Sequence, residues 1–416
     1  MTTTPSTTPL TYPGGLTRKQ VVAWRNAMFV IFAICGMAMA SWVARVPAVR
    51  DMLGASTLEM GVLIFGIAAG SILGLLASSH IIARLGARRT IALCLTVAPA
   101  GFVVAGFAAS FGSSFVLVFI GLAIFGAGAS VCDVAMNVSG AANERALRRA
   151  IMPIYHAFFS FGTMLGAALG AVAEHAGVPI WAHIGAIALI MFGAAQVAVR
   201  FAQSEHLVED GEEEIPADDH SKSWRGRLSI WRDPRTLFIG LIVLGMAFAE
   251  GSANDWLALA MVDGHGVDNA SGAIMFGVFV TAMTVGRLSG VILLDRFGRV
   301  PVLRGSALLA IAGLILVIFV PNATVAVVGI VMWGLGSALG FPVGMSAAAD
   351  DPKTAAARVS AVATIGYCAF LVGPPVIGLL GEHFGILNAL LVVLVLVTVA
   401  GVASGAAREP KLATKA

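Results

Sequence analysis

Charge is what this sequence has least of. Asp, Glu, Lys and Arg make up 12% of its 416 residues, about half the share usual in soluble domains, while apolar residues reach 58%. With a mean hydropathy of +0.91, the chain is expected to be a polytopic membrane protein. Cysteine is scarce too. Cys35, Cys94, Cys132 and Cys368 all fall in apolar stretches with no C-x-x-C pair, so the spacing indicates neither a disulfide framework nor a metal site. The sequence has no G-x-x-x-x-G-K-[ST] phosphate loop, no G-x-S-x-G and no H-E-x-x-H. No catalytic set, cofactor or metal is therefore expected. Nor is nucleic-acid binding, because membrane topology accounts for the basic loops.

What is abundant is glycine, with 48 residues, and the alanine-rich runs around it suit helices that pack closely in lipid. The chain is also doubled. The stretch 125–177 returns at 333–385 with a constant offset of 208, placing Gly126, Gly128, Gly170, Glu174, His175 and Gly177 on Gly334, Gly336, Gly378, Glu382, His383 and Gly385. Two further echoes pair Ser41-Trp42-Val43-Ala44 with Asp255-Trp256-Leu257-Ala258, and Ala83-Arg84-Leu85-Gly86 with Asp295-Arg296-Phe297-Gly298.

Twelve apolar runs are long enough to span a bilayer. The first ends near Val46; the others lie near 58–82, 90–110, 114–138, 153–174, 180–201, 236–260, 272–294, 301–320, 323–347, 356–381 and 385–405. The expected organisation is a disordered tail (1–20), a six-helix half (21–202), a polar linker (203–234), a second six-helix half (235–405) and a short tail (406–416). Of 26 Lys and Arg, only Arg45 and Arg50 fall on one side and Arg287 within a span. The basic face is expected to be cytoplasmic, with both termini there.

Two six-span halves joined by a long middle loop, with basic glycine-containing turns after spans two and eight, resemble the major facilitator superfamily. That family's turn signature is G-x-x-x-D-R-x-G-R-R. The second half keeps Asp295, Arg296, Gly298 and Arg299, and the first keeps Arg84, Gly86, Arg88 and Arg89 but has Ala83 for the aspartate. The resemblance implies that these turns lock the cytoplasmic side. The stretches 41–54 and 133–162 are similar to the MosC-like branch, which holds a membrane protein linked to an inositol derivative. The resemblance implies an all-α fold of twelve transmembrane helices, a bacterial inner-membrane location and a monomer.

An ionisable side chain inside a span is costly and marks function by default. Asp133 and Glu250 are expected near mid-membrane, each with an asparagine four residues on, Asn137 and Asn254, on the same helix face. A polar solute and protons are the expected partners, because a carboxyl whose surroundings alternate between wet and dry can exchange its proton with that change. His156 is a candidate relay. Arg45 and Asp255 are expected to close an outer gate across the halves, flanked by Trp42 and Trp256. Arg287 is expected to snorkel or join the cytoplasmic lock, with neutralisation of Asp133 or Glu250 as the alternative. Glu174-His175 and Glu382-His383 are read as helix ends, and Gly373-Pro374-Pro375 as a bend. Uptake by proton symport of a sugar- or inositol-like solute is the first expectation, drug/proton antiport the second, and a non-transporting sensor or scaffold the third.

Overall fold

A computed structural model describes residues 15–112, 114–149, 151–205, 230–351 and 354–409. Most of the tails and linker expected from the sequence lies outside these residues. The described chain is helical throughout, with no strand. The N-terminal half comprises α1 (Arg18–Val43), α2 (Val46–Leu53), α3 (Thr57–Phe107), α4 (Phe115–Leu147), α5 (Met152–His175) and α6 (Ile180–Val199). The C-terminal half comprises α7 (Pro234–His265), α8 (Asn269–Phe297), α9 (Arg299–Phe319), α10 (Ala323–Ser337), α11 (Gly340–Ala348), α12 (Ala355–Phe384), α13 (Ile386–Ala389) and α14 (Leu391–Ala403).

Among the described residues, eleven helical stretches are long and apolar enough to cross a membrane. One of them, Thr57–Gly112, has 56 residues, more than twice the roughly 20 that a bilayer requires. It breaks at Gly86, whose φ of 75° and ψ of 158° are not helical, so it supplies two passes and the total is the expected twelve. Hydrocarbon offers no partner for backbone polar groups, which only internal hydrogen bonding can satisfy. Polar caps accordingly sit at helix ends. Thr17 and Gln20 form a capping box on α1, and Ser56 and Glu59 form one on α3. Asp268 caps α8, and the backbone N–H and hydroxyl of Ser271 hold its carboxyl below the ordinary value. Apolar side chains such as Val402 and Leu76 point outward, while Trp24, Trp42, Trp256 and Trp333 are fully buried.

The internal repeat is visible in the packing. The backbone of Gly101 crosses Gly121 and Phe125, and that of Gly313, 212 positions on, crosses Gly329 and Trp333. Gly128 packs on Ala98 as Gly336 packs on Ala310. Each crossing leaves no room for a side chain, so the third and fourth passes of each half meet backbone to backbone. The turns repeat as well: Gly86 has φ 75° and ψ 158°, and Gly298 has φ 76° and ψ 170°.

That backbone region is open almost solely to glycine and costs another residue about 1–3 kcal/mol. A methyl group at Gly298 would meet nothing within 4 Å, so Gly298→Ala isolates the backbone cost. It is expected to destabilise the C-terminal half by about 1–3 kcal/mol in detergent unfolding. An unchanged midpoint would show that the turn relaxes freely.

Candidate functional site

Between the halves lies a cavity of about 270 Å³. The N-terminal half contributes Met39 of α1, a stripe of α3 that includes Ile64, Ile67, Ser71 and Leu75, and Ser130 and Asp133 of α4. Its α3 members recur at helical spacing, so one face of the second pass forms a wall. The C-terminal half contributes Asp255 of α7 and Tyr367, Phe370, Leu371 and Pro374 of α12. Two carboxylates from opposite halves thus share one cavity, and no basic side chain lines it among the described residues. Asn137 donates from Nδ2 to the Asp133 carbonyl at 2.8 Å and more weakly to Oδ1 at 3.4 Å. Asp255 has neither a hydrogen bond nor an ion pair among the described residues. The helical backbone continues through Pro374 and Pro375. Having no N–H, these prolines leave the carbonyls of Phe370 and Leu371 without their usual i+4 donors at the cavity wall.

Glu250 lies outside this lining. It accepts a 2.8 Å hydrogen bond from Arg287 Nη2 of α8, so the snorkelling expected for Arg287 gives way to the alternative of neutralising Glu250. The physical reason is cost, since a cation and an anion within a span are each cheaper paired than alone. Asn254, half-buried, does not line the cavity, and neither does His156, whose ring meets Phe32 edge-on at 5.3 Å. His156 is close enough to Arg287 for their charges to interact.

The gate expected from Arg45 and Asp255 does not form. Arg45 is 3% exposed and pairs with Glu174 of its own half at 3.1 Å, while its Nη2 donates to the Val178 carbonyl at 2.8 Å. Asp255 faces the cavity instead. On this far face, opposite the basic loops, the halves are joined by other groups. Arg50 pairs with Asp263, Asn269 donates to Asp51 at 2.9 Å, and the backbone N–H of Leu58 donates to Glu382 at 3.2 Å. Beneath these contacts α3 and α12 cross at Gly61 and Gly378. A side chain on Gly61 would stand 2.9 Å from the Pro374 carbonyl and 3.1 Å from Gly378 Cα. Trp256 covers this crossing rather than flanking an Arg45–Asp255 pair, whereas Trp42 lies inside its own half, stacked with Phe102 at 6.2 Å.

The basic turns make their described contacts inside each half. Arg88 donates to the carbonyls of Val199 and Arg200 at 3.0 and 3.3 Å, capping the end of α6, and Ala87 N–H donates to Glu205 at 2.6 Å. In the second half Asp350 receives both Arg299 and Arg235 at 2.7 Å, and Arg296 lies over the Phe297 ring at 5.3 Å. Arg84, Arg89 and Asp295 are exposed.

Twelve passes in two repeated halves around a cavity that holds two carboxylates define a membrane transporter. Comparison with known proteins agrees. The profile of the Major Facilitator Superfamily matches residues 27–369 and 256–415, and the chain belongs to that family, whose members are transporters rather than enzymes. An uncharacterized MFS-type transporter of Yersinia pestis is 30% identical over 404 residues, covering 94% of this chain and 96% of its own. Membrane protein MosC of Rhizobium meliloti is 26% identical over 377 residues, 90% and 87% of the two chains. Among solved structures, the nucleoside transporter NupG in its D323A form superposes with a TM-score of 0.68 at 16% identity, covering 94% of this chain and all of that one.

Sequence reasoning did not single out Tyr367, Ser71 or Ser130, which carry the cavity's hydroxyls, or Asp350, which gathers two arginines. Helical spacing from Asp133 reaches Ser130 at i−3, a signal that was available. The others depend on packing between helices.

Two outcomes follow from this geometry. Arg287→Ala leaves Glu250 uncompensated. Because Arg287 is 35% exposed, the expected loss falls between about 1 kcal/mol for an exposed pair and about 3 kcal/mol for a buried one. Adding Glu250→Gln is expected to recover part of it, and equal losses in the single and double variants would show that the pair is not coupled. Gly378→Leu, in turn, forces α3 and α12 apart. In a cysteine-free background it should expose a Ser71→Cys thiol to an impermeant reagent from the far face, and continued shielding would remove this crossing from the seal.

Proposed function

We propose that this chain is a proton-coupled symporter that brings a small polar solute, of sugar or inositol type, into the bacterial cell. The observation that carries the reading is the pair of carboxylates, Asp133 and Asp255, offered by opposite halves to one cavity without a cation between them. Ser71, Ser130, Tyr367 and the two carbonyls freed by proline add acceptors and donors suited to a hydroxylated solute. NupG, a nucleoside transporter of the same fold, supports a polar solute.

In this reading the protein sits in the inner membrane as a monomer, with both ends and the basic loops cytoplasmic. The contacts joining the halves on the far face then correspond to a state closed to the outside. Rocking of the halves about the cavity exposes it to each side in turn. A cavity with two uncompensated carboxylates resists passage through a dry, occluded state, because burying unpaired charge is expensive. Protons and solute hydrogen bonds together relieve that cost, so the loaded carrier reorients most readily and the two cargoes move together. A second reading, export of lipophilic cations against protons, is favoured by the same carboxylates and by the largely apolar remainder of the lining.

The test is uptake of labelled sugars and cyclitols into proteoliposomes with an imposed proton gradient. Asp133→Asn and Asp255→Asn are each expected to lower gradient-driven uptake by about ten- to a hundredfold, the worth of a hydrogen bond to a charged group at 1.5–3 kcal/mol. Asp255→Asn, in which the side chain can no longer take up a proton, is also expected to flatten the pH dependence. If no polar solute is carried and lipophilic cations collapse the gradient instead, the export reading replaces this one.

A further inference from the structure

Three of the chain's four cysteines, from the first, third and fourth passes, converge within the N-terminal half. Cys35 of α1 and Cys132 of α4 have their sulfurs 4.0 Å apart, about twice the length of a disulfide bond. Cys94 of α3 is near enough to interact electrostatically with both. All are free thiols. Cys132 is completely buried, whereas Cys35 is only half-buried. One helical turn beyond Cys35 and on the same face, Met39 lines the cavity, while Asp133, the residue after Cys132, opens into it. The pair therefore neighbours the cavity wall through Met39 and Asp133, with Cys35 the more accessible of the two sulfurs.

We infer that Cys35 and Cys132 form a dithiol site for neutral trivalent arsenicals, which reach it through the central cavity. Three properties select this chemistry. The sulfurs lie on two different helices at a separation that one bridging atom can span after small side-chain rotations. The surroundings are apolar, which disfavours a bound ion but not a neutral adduct. Among the described residues no three His, Cys, Asp or Glu side chains gather to hold a metal ion, so the site has two ligands. The reaction is a condensation. With phenylarsine oxide, both S–H bonds break and two S–As bonds form. The arsenic–oxygen bond is lost, and the oxygen leaves as water with the two thiol protons. Arsenic stays trivalent throughout, and no oxidant or reductant is consumed. The product ties the first pass to the fourth.

The experiment uses the full purified chain in detergent, phenylarsine oxide as the only probe, and intact-mass measurement. One adduct per chain is expected. A dithiol such as 2,3-dimercaptopropanol should remove it, and a monothiol at equal thiol concentration should not. Proteolysis of the native-sequence adduct should yield a linked pair of fragments containing residues 35 and 132, a result independent of whether any variant folds. Cys35→Ser and Cys132→Ser should each abolish the stable adduct, while Cys94→Ala and Cys368→Ser keep it. An adduct that a monothiol strips, that persists without Cys132, or whose linked fragments omit residue 35 overturns the inference.

Discussion

Close approach of backbones at glycine is the constraint on which this structure depends. Between helices in lipid there is no hydrophobic drive to association, because lipid tails are as apolar as leucine, and packing must supply the attraction instead. The chain meets this demand twice with the same device. Gly101 on Gly121 and Gly313 on Gly329 bring the third and fourth passes of each half together without intervening side chains. The first and fifth passes are joined in the same manner, with Gly162 and Gly166 against the carbonyls of Ala33 and Met37. Each half is thereby tied together by backbone contacts, and the cavity that holds Asp133 and Asp255 lies between the two.

Charge is arranged to suit such units. Arg45 with Glu174, Arg287 with Glu250, and Asp350 with Arg235 and Arg299 all balance inside their own halves. A half that carries its own counter-charges can move relative to the other without uncovering a buried ion. The repeat has diverged where the halves must differ. Glu174 and Glu382 are equivalent in sequence, yet Glu174 neutralises an arginine of its own half while Glu382 accepts a backbone N–H from the other.

The architecture was legible because it rests on properties that sequence displays directly. Apolar runs of bilayer length gave twelve passes, and the equivalence of Gly86 and Gly298 reappeared as a shared backbone conformation. The site was only partly legible. Five residues separate Glu250 from Asp255, which places them about 140° apart round the helix, so it was clear that they face different ways. Which of the two meets the cavity depends on how α7 is rotated among its neighbours, and no periodicity reports that rotation. Arg45 shows the same limit. Its counter-charge, Glu174, is more than a hundred residues distant in sequence, and the choice between Glu174 and Asp255 is settled only by how α5 and α7 pack around the end of α1. Asp133, by contrast, was found through depth and charge alone, since few acids occur within the spans at all.

The far-face seal combines a partly exposed ion pair, two hydrogen bonds at the protein surface and a glycine crossing covered by Trp256. Surface ion pairs contribute roughly 0–1 kcal/mol, and at the glycine crossing the one large side chain to be uncovered is that of Trp256. A closure made of such parts is inexpensive to undo. In the proposed reading it would hold the closed and open forms within a few kcal/mol of each other, a gap at which a single bound molecule can decide which form prevails.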